Sequence, residues 1–185
     1  LSTIVQNQKY VISPKAGRCH QLNYGATIAK GEILCFLHAD VRPPSTFEND
    51  ILSSLAKGYE FGFFAYRFDP SNRLLDVNAR FTHRKSIFTG GGDQIHFIKK
   101  NTFVNLGGYN PEFCIMEDFD LIRRVKKRGL PYIIIPSQAI VSSRKYDYNS
   151  WVKVNFWNLI AFTMFTLKID PNYIKKVYNS RLNLA

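Results

Sequence analysis

Residues Ile33-Leu34-Cys35-Phe36-Leu37 are apolar without interruption, with the turn residue Gly31 before them and His38-Ala39-Asp40 after them. A run of this kind, bounded by turn residues, fits a fully buried strand of a parallel sheet. The rest of the chain supplies the flanking elements. Tyr10-Val11-Ile12 reads as a short strand stopped by Ser13-Pro14, and Gly17 to Ala29 carries Leu22, Ala26 and Ala29 at helical spacing. After Pro43-Pro44, Ser45 or Thr46 can cap a helix to about Lys57. Tyr59 to Phe68 is strand-like, residues 72–88 are helical, and Gly90-Gly91-Gly92 breaks the chain before a strand over Asp93 to Ile98. A short helix reaches Leu106, Gly107-Gly108-Tyr109 turns, Glu117 to Arg128 is a helix closed by Gly129, and Tyr132 to Ile135 is the next strand. Helices over 149–168 and 171–182 finish the chain. Helices alternating with strands imply an α/β sandwich with a mainly parallel sheet.

Composition supports one domain over residues 1–185, with 149–185 as a C-terminal helical extension. The chain has 185 residues, 45% of them hydrophobic and 21% charged, enough for a core and against disorder. Lys and Arg outnumber Asp and Glu by 25 to 14, a net charge of +11, which selects polyanionic partners: nucleic acid, an anionic membrane or a phosphorylated substrate. Cys19, Cys35 and Cys114 have no zinc or redox spacing and fit a reducing compartment. No charged leader with an apolar block is visible. The opening Leu1-Ser2-Thr3 reads as the end of a βα unit, so further chain is expected upstream.

Five segments carry polar chemistry, each with a plainer reading beside it. Asp40, just past the buried strand, sits where open α/β sheets bind ligands; a carboxylate there can hold a divalent cation, or it can cap the turn before Pro43 while His38 packs. Glu117, Asp118 and Asp120 crowd the start of a helix that ends in Arg123, Arg124, Lys126, Lys127 and Arg128. That order complements the helix dipole, yet acids this close also raise one another's pKa, which suits a general base. Gly90-Gly91-Gly92 allows close backbone approach to a ligand or is a flexible loop, with Asp93-Gln94 a polar pair at the head of a strand. Arg18, near a helix start, can clamp a phosphate or face solvent. Trp151 to Leu167 is apolar nearly all round, with Asn155, Asn158 and Thr166 on one stripe, and is shorter than the ~20 residues that span a bilayer. It either packs on the sheet or, with the bases between Arg144 and Arg181, lies on an anionic membrane surface.

The order of these motifs resembles the family 2 inverting glycosyltransferases of GT-A (Rossmann-like) fold, and within them a small bacterial subgroup of single-domain enzymes. The resemblance rests on Gly17-Arg18-x-x-Gln21-Leu22-Asn23-x-Gly25-Ala26, Phe36-Leu37-His38-Ala39-Asp40, Gly92-Asp93-Gln94, Leu106-Gly107-Gly108-Tyr109, Glu117-Asp118-x-Asp120-Leu121, Ser143-Arg144 and Asp170-Pro171 near Tyr178. It spans residues 15–180 and implies a nucleotide-diphosphate sugar donor. By the same resemblance Asp40 would bind Mg2+ or Mn2+ on the diphosphate, and Asp118 would be the base that deprotonates an acceptor hydroxyl, tuned by Glu117. Asp93, Gln94 and His38 would contact donor or acceptor, and Arg18 and Arg144 the diphosphate. A cytoplasmic enzyme follows, peripheral at the inner membrane if its acceptor is lipid-linked.

The sequence departs from that family in two places. His38 stands where the first acid of Asp-x-Asp belongs, leaving Asp40 as the metal carboxylate. The opening strand and the Asp-Gly-Gly-Ser-type loop have no counterpart beyond Ser2-Thr3, with Ile4 where an acid is expected. The alternative is a non-catalytic basic module on anionic membrane or nucleic acid, although no nucleic-acid motif is present and none is expected as a partner. A nucleotidyltransferase with Gly17-Arg18 as its phosphate loop is a third reading.

Overall fold

In the computed structural model, which describes residues 9–91 and 94–183, the chain runs α1 (Arg18–Ile28), β1 (Ile33–Phe36), β2 (Val41–Arg42), α2 (Phe47–Ala56), β3 (Phe61–Asp69), α3 (Arg73–Thr82), β4 (His96–Lys99), α4 (Lys100–Asn105), α5 (Glu117–Lys127), β5 (Tyr132–Ser142), a 3-10 turn (Arg144–Tyr146), α6 (Trp151–Thr166) and α7 (Pro171–Arg181). The strands form one sheet in the order β1-β4-β3-β5-β2. Ser2, Thr3, Ile4 and Asp93 lie outside the described residues. Tyr10 to Ile12 is not a strand, and Tyr10 and Ile12 are exposed.

The α/β class holds, and the sheet is mixed where a mainly parallel one was expected. β3 and β5 pair in parallel, whereas β1 with β4, β4 with β3, and β5 with β2 pair antiparallel. β1, β3 and β5 share a direction, and β4 is inserted against them. After β3 and α3 the chain re-enters the sheet with His96 opposite Phe63 and runs back towards Phe61, so β4 runs the opposite way to β3. Alternation of helix and strand does not by itself separate such a loop-back from a crossover.

Both faces of the sheet are covered, as the apolar run requires. Leu34, Phe61, Phe63 and Ile98 pack with Cys19 and Ala26 of α1 and Leu121, Ile122 and Val125 of α5. On the other face Phe64, Phe68, Phe97 and Val141 pack with Ile51 of α2 and Leu75 of α3, with Ile33 and Cys35 beside them. Each fully buried side chain of this size contributes about 1.5–3 kcal/mol of transfer free energy. A third cluster, Ala161, Phe165 and Ile174 with Phe113 and Phe119, docks the α6–α7 pair onto the start of α5.

Two boundaries differ from the sequence reading for identifiable reasons. β5 continues past Pro136 to Ser142, because the register jumps from Phe64–Ile135 to Ala65–Gln138. Pro136 and Ser137 are left without partners in a bulge, where a missing N–H does no harm. α3 stops at Thr82, whose hydroxyl donates to the Ala79 carbonyl (2.6 Å) and accepts from the Tyr66 N–H (3.2 Å). The following turn is held by the Ser86 N–H donating to Thr89 Oγ1 (2.7 Å).

α1 is tied to the turn after α4 by one side-chain amide. Asn23 Nδ2 donates to the Tyr109 carbonyl (2.7 Å), and the Tyr109 N–H donates to Asn23 Oδ1 (2.9 Å). Gly108 lies against that amide at φ +66°, and a Cβ there would come within 2.7 Å of Asn23 Oδ1. Gly25, in the interior of α1, has open space around it. The two glycines therefore respond oppositely to alanine. Gly108→Ala is expected to cost about 1–3 kcal/mol from backbone strain and the displaced amide, and Gly25→Ala to stabilise by about 0.5–1 kcal/mol. Urea unfolding at unchanged m-value reads both, as midpoint shifts of opposite sign.

Candidate active site

The ends of four elements converge on one cavity of about 770 Å3: the start of α1, the loop after β1, the start of α5 and the end of β5. Arg18, His38, Asp40, Gln94, Glu117, Asp118 and Arg144 all line it. Local backbone places them. Gly17, at φ +116°, turns the chain into α1 so that Arg18 is the first helical residue. Met116, in the left-handed region at φ 64°, does the same for α5 and sets Glu117 and Asp118 in its first turn. The bulge in β5 carries that strand far enough to deliver Arg144 to the rim.

Arg18 is the hub of the charged end. Its Nε lies 2.5 Å from Glu117 Oε1 and its Nη2 3.6 Å from Asp118 Oδ2. Nη2 also donates to His38 Nε2 at 2.6 Å, which fixes that ring nitrogen as an acceptor, since a guanidinium can only donate. Glu117 and Asp118 are buried while Arg18 is part-exposed, so two carboxylates leave water beside a cation that stays partly in it. The N-terminus of α5 adds its partial positive charge.

The third acid has another task. Asp120 is buried and accepts from Arg123 Nη2 and Arg124 Nε, each at 2.8 Å, and Arg124 Nη1 donates to the Leu106 carbonyl (2.6 Å). Three acids in four residues thus divide into Asp120, which anchors α5 to the α4 turn, and Glu117 and Asp118, which face the cavity. Behind them Cys19 donates to the Phe113 carbonyl (2.9 Å), and burial first, with Glu117 and Asp118 adding to it, pushes its pKa up to about 12. It stays a thiol. His96, hydrogen-bonded to the Tyr109 hydroxyl, is lowered to about 3, chiefly by burial.

Gln94 lines the cavity, but its amide is engaged in holding the glycine loop. Oε1 accepts from the Gly90 N–H (2.9 Å), and Nε2 donates to the Phe64 carbonyl (3.1 Å). The glycines are required by packing: a Cβ on Gly91 would meet the Phe119 ring at 1.8 Å, and one on Gly90 the Phe63 ring at 2.6 Å. Asp93 is outside the described residues.

The far wall is made by side chains that sequence reasoning did not assemble. Lys145 Nζ donates to the Tyr178 hydroxyl, which donates to Asn158 Oδ1 (2.6 Å). Asn155 and Asn158 both line the cavity, so the asparagine stripe on an otherwise apolar helix was the available signal. Asn78 of α3 donates to the Tyr146 hydroxyl (3.1 Å), which closes the wall between α3 and the 3-10 turn. Among the described residues no group of three His, Cys, Asp or Glu side chains is arranged to hold a metal by itself, and Asp40 stands exposed at the cavity edge.

No protein-family model matches the chain, and no curated protein sequence does. Among solved structures, the mannosyltransferase PcManGT from Pyrobaculum calidifontis, in complex with GDP-Man and Mn2+, is similar with a TM-score of 0.58 at 17% identity. The match covers 83% of this chain and 44% of that chain, so this sequence spans less than half of that enzyme. At this identity the likeness is one of fold, and the fold is GT-A-like α/β.

The buried His96 makes a pH signature. Its folded pKa lies far below the ordinary 6.5, so between those values the unfolded chain takes up a proton that the folded chain refuses. Its contribution is complete above about pH 6.5 and is lost at about 1.4 kcal/mol per pH unit on acidification towards pH 3. His96→Gln keeps a partner for Tyr109 but cannot titrate. Urea unfolding at pH 7, 6, 5 and 4 should show the wild type losing stability faster than this variant, by roughly that slope.

Proposed function

We propose that this chain carries the catalytic site of a nucleotide-sugar-dependent, inverting glycosyltransferase. The observation that carries the reading is the convergence, on a GT-A-like fold, of a buried carboxylate pair, an exposed carboxylate and the arginines Arg18, Arg84 and Arg144 around one cavity. Arg18 and Arg144 suit the two phosphates of a donor. Asp118 suits the acceptor side: its carboxylate takes the hydroxyl proton as that oxygen bonds to the anomeric carbon. The bond from that carbon to the diphosphate breaks on the opposite face, with its electron pair leaving on the diphosphate. Proton removal of this kind is worth about 10²–10⁴-fold in rate. Glu117 holds Arg18, and His38 holds it from the other side, so both position the base rather than react. Asp93 and Gln94 would meet donor or acceptor, Gln94 also through the loop it fastens.

PcManGT is held with GDP-Man and Mn2+, and the class of donor and cation is what this reading carries over. Asp40 fits such a cation. Mg2+ and Mn2+ are commonly held by one or two carboxylates together with substrate phosphates and water, so a lone exposed carboxylate beside a diphosphate site is a sufficient protein ligand. When bound, the ion would supply Lewis-acid stabilisation of the departing nucleotide.

Calorimetric titration of UDP and GDP, with and without Mn2+, should give binding that Asp40→Ala removes, and cation-dependent binding surviving that change would take the metal away from Asp40. Asp118→Asn should keep nucleotide binding while slowing nucleoside diphosphate release from the bound donor sugar by about 10²-fold or more. Full turnover in that variant would end the base assignment.

A further inference from the structure

α3 is apolar on two sides. Leu75 and Ala79 enter the core, and Leu74, Val77 and Phe81, at i, i+3 and i+7, form a second stripe that the fold leaves uncovered, with Phe81 64% exposed. The stripe continues in the following turn, where Ile87 is 67% exposed and Phe88 is also open to solvent. Arg73 and Arg80, both exposed, are seven residues apart and border the stripe along one edge, and exposed Arg84 follows the helix. The acid on this helix, Asp76, accepts from Ser71 Oγ (2.6 Å). The patch is continuous with the cavity: Val77, Phe81 and Phe88 line it, and the Phe88 ring meets Phe162 of α6 with centroids 4.8 Å apart.

We infer that this face, built from α3 and residues 83–88, docks on an anionic bilayer surface with the cavity mouth beside the lipid. Charge and shape select the occupant. Protruding Phe, Ile and Leu side chains suit insertion below the headgroups, and arginines along the edge suit anionic headgroups. A nucleic acid would leave the apolar tips in water. From sequence the late helices either pack on the sheet or lie on a membrane. In the structure Ala161 and Phe165 of α6 and Ile174 of α7 are in a packed cluster, while Val152, Phe156 and Leu159 of α6 stay exposed as a second apolar stripe. What favours α3 is the pair Arg73 and Arg80 along its edge and its continuity with the cavity mouth.

The test is flotation of the intact chain with vesicles of phosphatidylcholine containing about one third phosphatidylglycerol, at near-physiological salt. No donor is present, so this result and the glycosyltransferase reading stand or fall separately. Wild type should float with these vesicles and at least tenfold less with phosphatidylcholine alone. Phe81→Ser with Ile87→Ser, and separately Arg73→Glu with Arg80→Glu, should each weaken flotation at least tenfold; a basic side chain near an anionic surface is worth about fivefold. All four positions are exposed, and far-ultraviolet circular dichroism confirms that each variant is folded. Independently, Ile87→Trp should shift its emission to the blue on vesicle addition. Absence of flotation would overturn the inference. So would flotation insensitive to both α3 pairs, loss only on Lys175→Glu with Lys176→Glu in α7, or retention by duplex DNA with no binding to vesicles.

Discussion

Two successive buried carboxylates need a counter-charge, and the fold brings one from almost a hundred residues away. Arg18 stands at the N-terminus of α1, the wrong end of a helix for a cation, and is held there by Glu117 and Asp118. Each part is unfavourable alone: a cation against a helix dipole, and acids out of water. Together they are mutually compensating, and the pairing fixes how α1 and α5 meet the end of β1 through His38. Removing Arg18 would take a cation away from a buried carboxylate pair, the costly way to break such an arrangement. The geometry of the candidate site is therefore also a condition for packing α1 against α5.

The second constraint is the placement of α6 and α7. They dock on the turn before α5 through Phe165 and Ile174, and they close the cavity with Asn155, Asn158 and Tyr178. The same two helices thus support the first turn of α5 from behind and face the space in front of it. Lys145 links them to the end of β5 through the Tyr178 hydroxyl, and Asn149 Nδ2 reinforces that corner by donating to the Lys145 and Asn183 carbonyls.

Much of this was legible in the sequence because it depends on local pattern. The unbroken apolar run from Ile33 read as a fully buried strand of a parallel sheet. Leu34 packs on one face and Ile33 and Cys35 on the other, but β1 is an edge strand antiparallel to β4, and Leu37 is exposed. Glycines and acids at helix starts marked Arg18, Glu117 and Asp118, and the position of Asp40 after a buried strand placed it at the cavity. What escaped depended on non-local geometry. The direction of β4 follows from where a loop returns, which alternation does not encode. Pro136 reads as a strand end because the bulge that tolerates it needs the register with β3. Asp120 looks like its two neighbours in sequence and is separated from them only by the positions of Arg123 and Arg124. Gln94 reads as a ligand contact, and the sequence did not show that its amide also ties Gly90 to Phe64.

The contact between Gly91 and Phe119 has a consequence for how such sequences can vary. Phe119 directly follows the carboxylate pair, and its ring occupies the space a side chain at 91 would need. The same ring meets Phe162 and Phe165 of α6. A larger residue at 91 is admissible only with a smaller one at 119, and a smaller residue at 119 would unseat α6. Substitutions in the loop, the first turn of α5 and the late helix should therefore appear as correlated sets across descendants, inherited as one unit although they lie some seventy residues apart.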